Sequence, residues 1–446
     1  MIAALAGGVG SARFLAGLLQ VVDPRDVVIV GNTGDDDWFH GLRVCPDLDS
    51  VTYALAGANN PETGWGLAGE TFVTLGALER YGVPTWFNIG DRDFATHLYR
   101  TERLRAGVPL SAVTADIATA WGLSCRLLPM TDDEVATRIT AAMPEGNVEL
   151  ALEEWFVREH CEPRVVSVRF DGAETARPGP DVLEVLDKSD AIVICPANPI
   201  VSIAPILSVP GLREAIAAHP RVVGISNLIA GSAVRGPADR MLADLGIEAS
   251  CVGVARGYRD VCDAFVIDER DAARASEVEA LGVRAVVTDT LMKNRQVAAE
   301  LARETLAAVA RTSRCPRSSR HDVRSARSCP NRYRPKSSTR SCKRRASPLH
   351  HTTRVRGAGS WSTPPRPEHN SLRAWVRVGG ATSPPTEWQS LGSPSSSRRH
   401  TGRSPRRRRW CSAVSPGTGS TGIPTRPANA PSGGWRCCRS GPRSRT

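Results

Sequence analysis

The segment Ile2-Ala-Ala-Leu-Ala-Gly-Gly-Val-Gly10 decides the fold, because a short apolar run leads directly into a glycine-rich turn. After the turn, Phe14, Leu15, Leu18 and Leu19 recur at helical spacing. A buried strand, a tight turn and a helix form the repeating unit of sheets whose two faces are both covered by helices. The stretch therefore predicts the start of a parallel α/β sheet.

Further β-prone runs follow, and most of them are separated by helical patterns. They are Val27–Val30, Thr85–Ile89, Ala191–Cys195, Arg221–Ile225 and Arg284–Val287. Strands that alternate with helices indicate a doubly wound, mostly parallel, Rossmann-like sheet. Residues 91–169 fit this alternation less well and are mostly helical in pattern, so we expect a helical insertion that caps the site.

The charge divides the chain into two parts near residue 310. Of the 57 Lys and Arg residues, 30 lie from Arg311 onward, together with only 3 of the 46 Asp and Glu residues. The first 310 residues therefore carry a formal charge of −16, and residues 311–446 carry +27. We expect one large α/β domain over 1–310, with no overall field that would attract a phosphorylated ligand.

Residues 311–446 form a basic, low-complexity tail rich in Arg, Ser and Pro, which predicts disorder. One interpretation is an arm that binds nucleic acid. The tail also holds half of the chain's 12 Cys and 10 Trp residues, a mixture that such arms rarely have. We favour out-of-frame translation of a GC-rich coding region, and so expect no nucleic-acid partner.

Composition also predicts the compartment. Glycines interrupt the apolar start at once, no basic segment precedes it, and no apolar run is long enough to span a bilayer. Six widely spaced cysteines precede residue 310 without a CxxC pair, which is typical of a reduced cytoplasmic protein. Of these, Cys45 lies beside an aspartate cluster, where a buried apolar role is favoured over a nucleophile or ligand.

Candidate ligand-binding segments follow the ends of four predicted strands. They are Gly7–Gly10, Asn32–Asp37, Gly90–Asp93 and Pro196–Pro199. In open α/β sheets the ligand lies outside the carboxyl ends of the strands, where these loops converge. The glycine turn suits a phosphate, although a tight turn needs glycine in any case. It lacks the Lys-Ser/Thr of a P-loop and the G-x-G-x-x-G spacing of dinucleotide folds, so an NTPase and a nicotinamide enzyme are disfavoured.

Asp47 and Asp49 are the strongest metal-ligand candidates. Residues two apart on an extended segment point the same way, so both carboxylates could reach one Mg²⁺ ion, and surface charge is the alternative. The triplet Asp35-Asp36-Asp37 could equally be a solvated acidic turn.

Gly90-Asp91-Arg92-Asp93 places an arginine between acids just after a predicted strand. A functional role is favoured there over a surface ion pair. His97 and Arg100 lie one and two turns further on and share a face if a helix follows. A structural role for His97 remains the alternative to a catalytic one.

Seven motifs together resemble the 2-phospho-L-lactate transferases of coenzyme F(420) biosynthesis, called phosphoenolpyruvate transferases in actinobacteria. The resemblance covers residues 1 to about 308, in order. The motifs are Leu5–Phe14, Gly41–Asp49, Gly90–Thr101, Leu128–Asp133, Pro196–Ser202, Arg235–Asp239 and Asp289–Met292.

The resemblance implies a Mg²⁺-dependent transfer. The deazaflavin Fo would attack an enolpyruvyl or lactyl phosphate activated by guanosine diphosphate, and GMP would be released. Asp47 and Asp49 would hold Mg²⁺ or the acceptor hydroxyl, and Arg92 would clamp the transferred phosphoryl group. A carboxylate of the cluster would take the proton, and Asp91 is a further catalytic candidate. The remaining substrate-binding candidates are Gly8, Gly10, Asn32, Thr33, His97, Asn198 and Ser226.

The form of the motifs favours the enolpyruvyl donor over the lactyl donor, and we expect a homodimer without membrane partners. Where the family usually has a Ser-Pro-Ile-Ile-Gly-Gly turn, this chain has Ser226–Gly231. The alternative function is a nucleotide-sugar-binding regulator of the gluconeogenesis-factor type, which shares the fold. Such regulators have the glycine turn but would not be expected to combine Pro46–Asp49 with Gly90–Asp93.

Overall fold

A computed structural model describes residues 1–310 of the chain. The strands in this part are β1 (Ile2–Ala6), β2 (Val27–Gly31), β3 (Asp37–Phe39), β4 (Leu42–Val44), β5 (Arg126–Pro129), β6 (Ala136–Met143), β7 (Gly146–Ala151), β8 (Arg164–Asp171), β9 (Ala191–Ile194), β10 (Val222–Ile225), β11 (Leu228–Ile229), β12 (Ser232–Ala233), β13 (Ala264–Asp268) and β14 (Arg284–Thr288). The predicted disordered tail, residues 311–446, lies outside the described residues.

The α-helices of the same part are α1 (Gly8–Leu18), α2 (Pro46–Leu55), α3 (Val73–Leu78), α4 (Asp93–Arg105), α5 (Leu110–Ala120), α6 (Val182–Lys188), α7 (Ala204–Ser208), α8 (Leu212–Ala218), α9 (Ala238–Asp244), α10 (Cys251–Tyr258), α11 (Ala275–Glu279) and α12 (Arg295–Ala310). None of these helices is by itself long and apolar enough to cross a bilayer. A bent pair, Pro199–Ser208 with Leu212–Ala218, meets both conditions only when its two parts are counted together.

Seven parallel strands form the central sheet, in the order β14-β13-β10-β9-β1-β2-β5. The chain runs from β1 through β2 to β5 in one direction and then returns to β9 and continues to the other edge. The predicted doubly wound α/β fold is therefore confirmed. The predicted strand at Thr85–Ile89 is wrong, because this segment is irregular and packs its aromatic rings against the β3–β4 hairpin; Phe87 stacks on Phe39 with the ring centroids 3.8 Å apart.

The sheet is buried on both faces, as a near-continuous apolar strand requires. Alternate residues of β1 enter two separate cores. Ala3 and Leu5 pack with residues of α6 to α10, whereas Ala4 and Ala6 pack with residues of α1, α2 and α12.

The predicted helical insertion over 91–169 is wrong in its second half. Helices α4 and α5 are present, but β5 then joins the edge of the central sheet beside β2. Strands β7, β6 and β8 follow as a three-stranded antiparallel sheet. The alternating burial of β6, a period of two, explains why a strand forms where helix was predicted.

The chain reverses its direction across the sheet between β1 and β9, which pair directly. Such a switch point leaves a crevice at the carboxyl ends of the two strands. The glycine turn after β1 and the loop after β9 meet there. A Cβ atom on Gly10 would collide with the carbonyl oxygen of Pro196, so glycine is required at this approach.

Candidate active site

A cavity of about 650 Å³ opens above the switch point. Its floor consists of the glycine turn, the start of α2 and the loop after β9. Its walls come from the segment after β7, from residues 63–66 and 87–88, and from the loops after β10 and β14. The cavity is large enough for a nucleotide or a drug-sized ligand. It therefore lies where the sequence predicted the site, at the carboxyl edge of the sheet.

Part of the glycine turn contacts protein rather than open space. A Cβ atom on Gly7 would collide with the Asp47 carboxylate and would lie 2.7 Å from the Cβ atom of Ser202. The backbone amide of Gly8 hydrogen-bonds the same carboxylate, and the Gly7 amide donates to Ser11 Oγ at 3.1 Å. Gly8 and Gly10 both line the cavity, as predicted, but Asp47 already faces the first amides of the turn.

Asp35 and Asp47 form an acidic corner at the floor of the cavity. The Asp47 amide donates to Asp35 Oδ2 at 3.0 Å. Asn32 Nδ2 bridges the two carboxylates, at 3.3 Å from Asp35 Oδ1 and 2.9 Å from Asp47 Oδ2. All three side chains are buried. Asn32 thus holds the acids together instead of lining the cavity itself.

The acidic corner is electrostatically unfavourable without a cation. Burial raises the pKa of Asp47 to about 6, although hydrogen bonds from Asn32 oppose the shift. Burial and the charge of Asp47 raise the pKa of Asp35 well above its usual range. Glu153, on the cavity wall after β7, has its pKa raised to about 8 by burial, Asp47 and Asp37. These carboxylates therefore resist ionisation together.

Asp49 lies in a different environment, although it is only two residues from Asp47. Its carboxylate forms an ion pair with Arg100, through Nη2 and through Nη1 at 3.1 Å. Both side chains are buried, and Arg100 is 2 % exposed. The premise that Asp47 and Asp49 share an extended segment is wrong, because Pro46–Leu55 is a helix with both residues in its first turn. The two carboxylates consequently have different partners.

His97 connects Asp49 to a further carboxylate on its own helix. His97 Nδ1 lies 3.2 Å from Arg100 Nη1 and 3.7 Å from Asp49 Oδ2, and Nε2 lies 3.2 Å from Asp93 Oδ2. Tyr53 donates to Asp93 Oδ1 at 2.6 Å. Burial opposes ionisation of Asp93, yet the hydrogen bonds from His97 and Tyr53 lower its pKa. The predicted shared face of His97 and Arg100 is confirmed by α4.

Asp91 and Arg92 do not reach the cavity. Asp91 accepts hydrogen bonds from Thr71 Oγ1 and from the amides of Val73 and Thr74, both at 2.9 Å, so it caps the start of α3. Arg92 is exposed, donates to the Ala68 carbonyl at 2.8 Å, and lines a separate surface pocket. The prediction placed these residues at a strand end. The segment before them is not a strand, so the rule that brings strand ends together does not apply.

The remaining candidates divide between the cavity and its support. Asn198 and Ser226 line the cavity. The Asn198 carboxamide caps the π-helical turn Pro199–Ile203, and Ser226 Oγ donates to the Leu228 carbonyl at 2.8 Å. Thr33, in contrast, is buried behind the acids and does not line the cavity. Asn32 and Thr33, which were candidates for substrate binding, therefore lie behind the surface that a substrate would touch.

The family model described as "2-phospho-L-lactate transferase CofD" matches residues 2–307. The chain belongs to this family. A phosphoenolpyruvate transferase of Kitasatospora aureofaciens is 46% identical over 310 residues, which are 69% of this chain and 97% of that protein. One of Streptomyces griseus is 45% identical over 308 residues, 68% of this chain and 97% of that protein. Among solved structures, a UPF0052 family protein of Bacillus halodurans matches with a TM-score of 0.48 and 16% identity, over 68% of this chain and 98% of that one.

The family assigns the chain to the transferases of coenzyme F(420) biosynthesis. Sequence reasoning missed four cavity residues of this family member. No local signal distinguishes Asp35 from its acidic neighbours, Asp93 merely flanks Arg92 in the sequence, and Tyr53 and Glu153 belong to no recognisable motif. For Tyr53 the available signal was helical spacing, since it lies one turn after Asp49 on α2.

Proposed function

We propose that this transferase moves a phosphoenolpyruvyl group from its guanosine-diphosphate-activated form to a hydroxyl of the deazaflavin Fo, with release of GMP. The observation that carries the proposal is the division of one cavity between an acidic corner and an Arg100-bound aspartate. The first suits a cation and a diphosphate, and the second suits a hydroxyl nucleophile. The names of the relatives favour the enolpyruvyl donor over the lactyl donor.

The proposed reaction is one displacement at phosphorus. The hydroxyl oxygen of Fo forms a bond to the phosphorus that bears the three-carbon group. The bond from that phosphorus to the bridging oxygen breaks, and GMP leaves with the electron pair. The hydroxyl proton passes to a carboxylate of the site, and Asp49 is the proposed acceptor. Arg100 holds this carboxylate in one orientation, and His97 Nδ1 lies against Arg100 Nη1, so the acceptor need not be reorganised during the reaction.

Asp35 and Asp47 fit the magnesium ion that the family resemblance implies. They supply two buried carboxylates that repel each other, and Mg²⁺ commonly takes one or two carboxylates while it keeps several waters. No group of three acidic, His or Cys side chains within residues 1–310 forms a complete metal site. Bound there, the ion would neutralise charge on the diphosphate.

The acceptor ring has a matching apolar wall. Val44, Phe87 and Phe156 line the same cavity as Tyr53 and His97. Phe87 is held by its stack on Phe39 and by an edge contact with Trp86, 5.9 Å between centroids. Flat aromatic side chains favour a flat heteroaromatic ligand. We place the Fo ring against this wall, with its hydroxyl chain directed towards Asp49.

The test combines binding and turnover on the full chain. Fluorescence titration measures the affinity for Fo, and chromatography measures the product and GMP from the enolpyruvyl and the lactyl donor, with Mg²⁺ or with EDTA. We expect binding of Fo, one GMP per product, a preference for the enolpyruvyl donor and no turnover in EDTA. A folded protein that binds Fo but converts neither donor would refute the proposed reaction.

A further inference from the structure

Two arginines line the cavity without an acidic partner. Arg13 lies on α1 just beyond the glycine turn, and Arg235 lies between β12 and α9. Among residues 1–310 neither guanidinium forms an ion pair. Arginines at cavities usually meet either a carboxylate of the protein or an anion of the ligand. The pair therefore adds uncompensated positive charge to one wall of a cavity whose floor is acidic.

Arg235 is held in place by neutral groups. Its Nη1 donates to the Thr63 carbonyl and its Nη2 to the Glu62 carbonyl at 3.1 Å. The loop that contains Thr63 also packs against the glycine turn. Gly64 in this loop has a φ of +80°, and a Cβ atom on it would lie 2.7 Å from Val9 Cγ1. Carbonyl oxygens orient a guanidinium but leave its charge in place. Arg235 is thus positioned over the cavity with that charge still available.

Arg13 is near enough to Arg235 to experience its charge. Burial lowers the pKa of Arg13, and the charge of Arg235 lowers it further. No hydrogen bond or ion pair within the described chain engages the Arg13 side chain, so its five N–H donors remain for a ligand. Two like charges that face one cavity are relieved when an anion binds between them.

We propose that Arg13 and Arg235 together bind an oxyanion of the donor substrate. A planar guanidinium binds two oxygens of a phosphate or a carboxylate with parallel hydrogen bonds. The donor offers two such sources, the diphosphate of the nucleotide and the carboxylate of the three-carbon group. This inference rests on the proposed function for the identity of the donor, but not for the presence of the anion site.

Calorimetry on the full chain tests the pair with defined probes. GDP and inorganic pyrophosphate carry the diphosphate, phosphoenolpyruvate carries the carboxylate with a single phosphate, and guanosine is the neutral control. We expect Arg13→Gln and Arg235→Gln each to weaken oxyanion binding about ten- to hundredfold and to leave guanosine unchanged. Arg235→Lys keeps the charge but loses the planar fork, so we expect an intermediate loss. The matched control is Arg80→Gln, since Arg80 is exposed and lies outside the cavity.

The probes separate the two sources and the two hypotheses. Loss of GDP and pyrophosphate binding alone identifies the diphosphate, and loss of phosphoenolpyruvate binding alone identifies the carboxylate. Unchanged affinity of both arginine variants for every oxyanion probe, with folding verified by circular dichroism, overturns the inference. So does a wild-type chain that binds no oxyanion probe. A chain that loses oxyanion binding in the variants but shows no transfer in the wild type would refute only the proposed reaction.

Discussion

Asp47 and Asp49 lie two residues apart in the first turn of α2, yet the protein surrounds them with opposite charges. Asp47 lies beside Asp35, Asn32 and Glu153, and its charge raises the pKa values of Asp35 and Glu153. Asp49 faces Arg100. Because residues two apart on a helix point to different sides, the same short motif supplies one side chain to each environment. Under the proposed function, a cation and an acceptor hydroxyl would bind beside neighbouring positions of one rigid helix.

Removing a partner of Asp49 should have a different effect from removing a partner of Asp47. Deleting a cation from a buried ion pair leaves a charge without compensation, whereas deleting one member of a repelling group relieves strain. Stability and activity should therefore separate between the two environments.

Arg100→Leu should destabilise the protein by about 3–5 kcal/mol, because Asp49 would remain buried without its partner. Urea unfolding followed by circular dichroism measures the loss. The double variant Arg100→Leu/Asp49→Leu should recover most of it, since an apolar pair of similar volume is often neutral. If the free energy of unfolding of the single variant lies within about 1 kcal/mol of the wild-type value, the Asp49–Arg100 ion pair is not a buried pair that the fold depends on.

Asp49→Asn should lower kcat/KM for transfer about 10²- to 10³-fold, because the isosteric amide cannot accept the hydroxyl proton. Steady-state kinetics with varied Fo measures the effect, and the Mg²⁺ concentration for half-maximal activity should stay unchanged. Asp26→Asn is the control, since Asp26 is exposed and distant from the cavity. Near wild-type turnover would remove Asp49 from the reaction.

Asn32→Ala should raise the Mg²⁺ concentration for half-maximal activity by about tenfold, because Asn32 orients both Asp35 and Asp47 from behind. Activity titrations with Mg²⁺ measure this directly, and saturating Mg²⁺ should restore most of the rate. Asn147→Ala, at an exposed position, serves as the control. An unchanged Mg²⁺ requirement would show that the acidic corner does not hold the ion.

Glu153→Gln should flatten the pH dependence of stability. A carboxyl whose pKa is raised in the folded state stabilises the protein below its unfolded pKa, near 4.5 for Glu, and this contribution is lost as the pH rises through about 8. In EDTA, the Tm of the wild type should therefore fall between pH 5 and pH 8 by more than that of the variant, by a few degrees in order of magnitude. Thermal scans at several pH values measure the difference; parallel curves for the two proteins would contradict it.

Local sequence signals predicted the strand and turn at the start of the chain correctly, but they gave wrong predictions for the segments around Asp47 and before Asp91. The apolar run Ile2–Ala6 and the glycines after it predicted the central strand, its turn and α1 correctly, since each depends on neighbours in the chain. The segment before Asp91 gave a wrong prediction. The β-prone residues of Thr85–Ile89 include Trp86 and Phe87, whose rings pack against β3 and β4 although the segment joins no sheet. The interpretation of Asp47 and Asp49 failed for the related reason that Pro46 begins a helix there.

The sequence by itself determined the sheet class, the position of the site at its carboxyl edge and the family, because strand periodicity, glycine turns and ordered motifs are local features. The tertiary structure alone decided which carboxylates are paired. Arg100 reaches Asp49 across 51 positions of sequence, and Glu153 reaches the acidic corner from the segment that follows β7, a strand that was not predicted. Charge pairing depends on distance and burial in three dimensions, and neither is encoded in spacing along the chain.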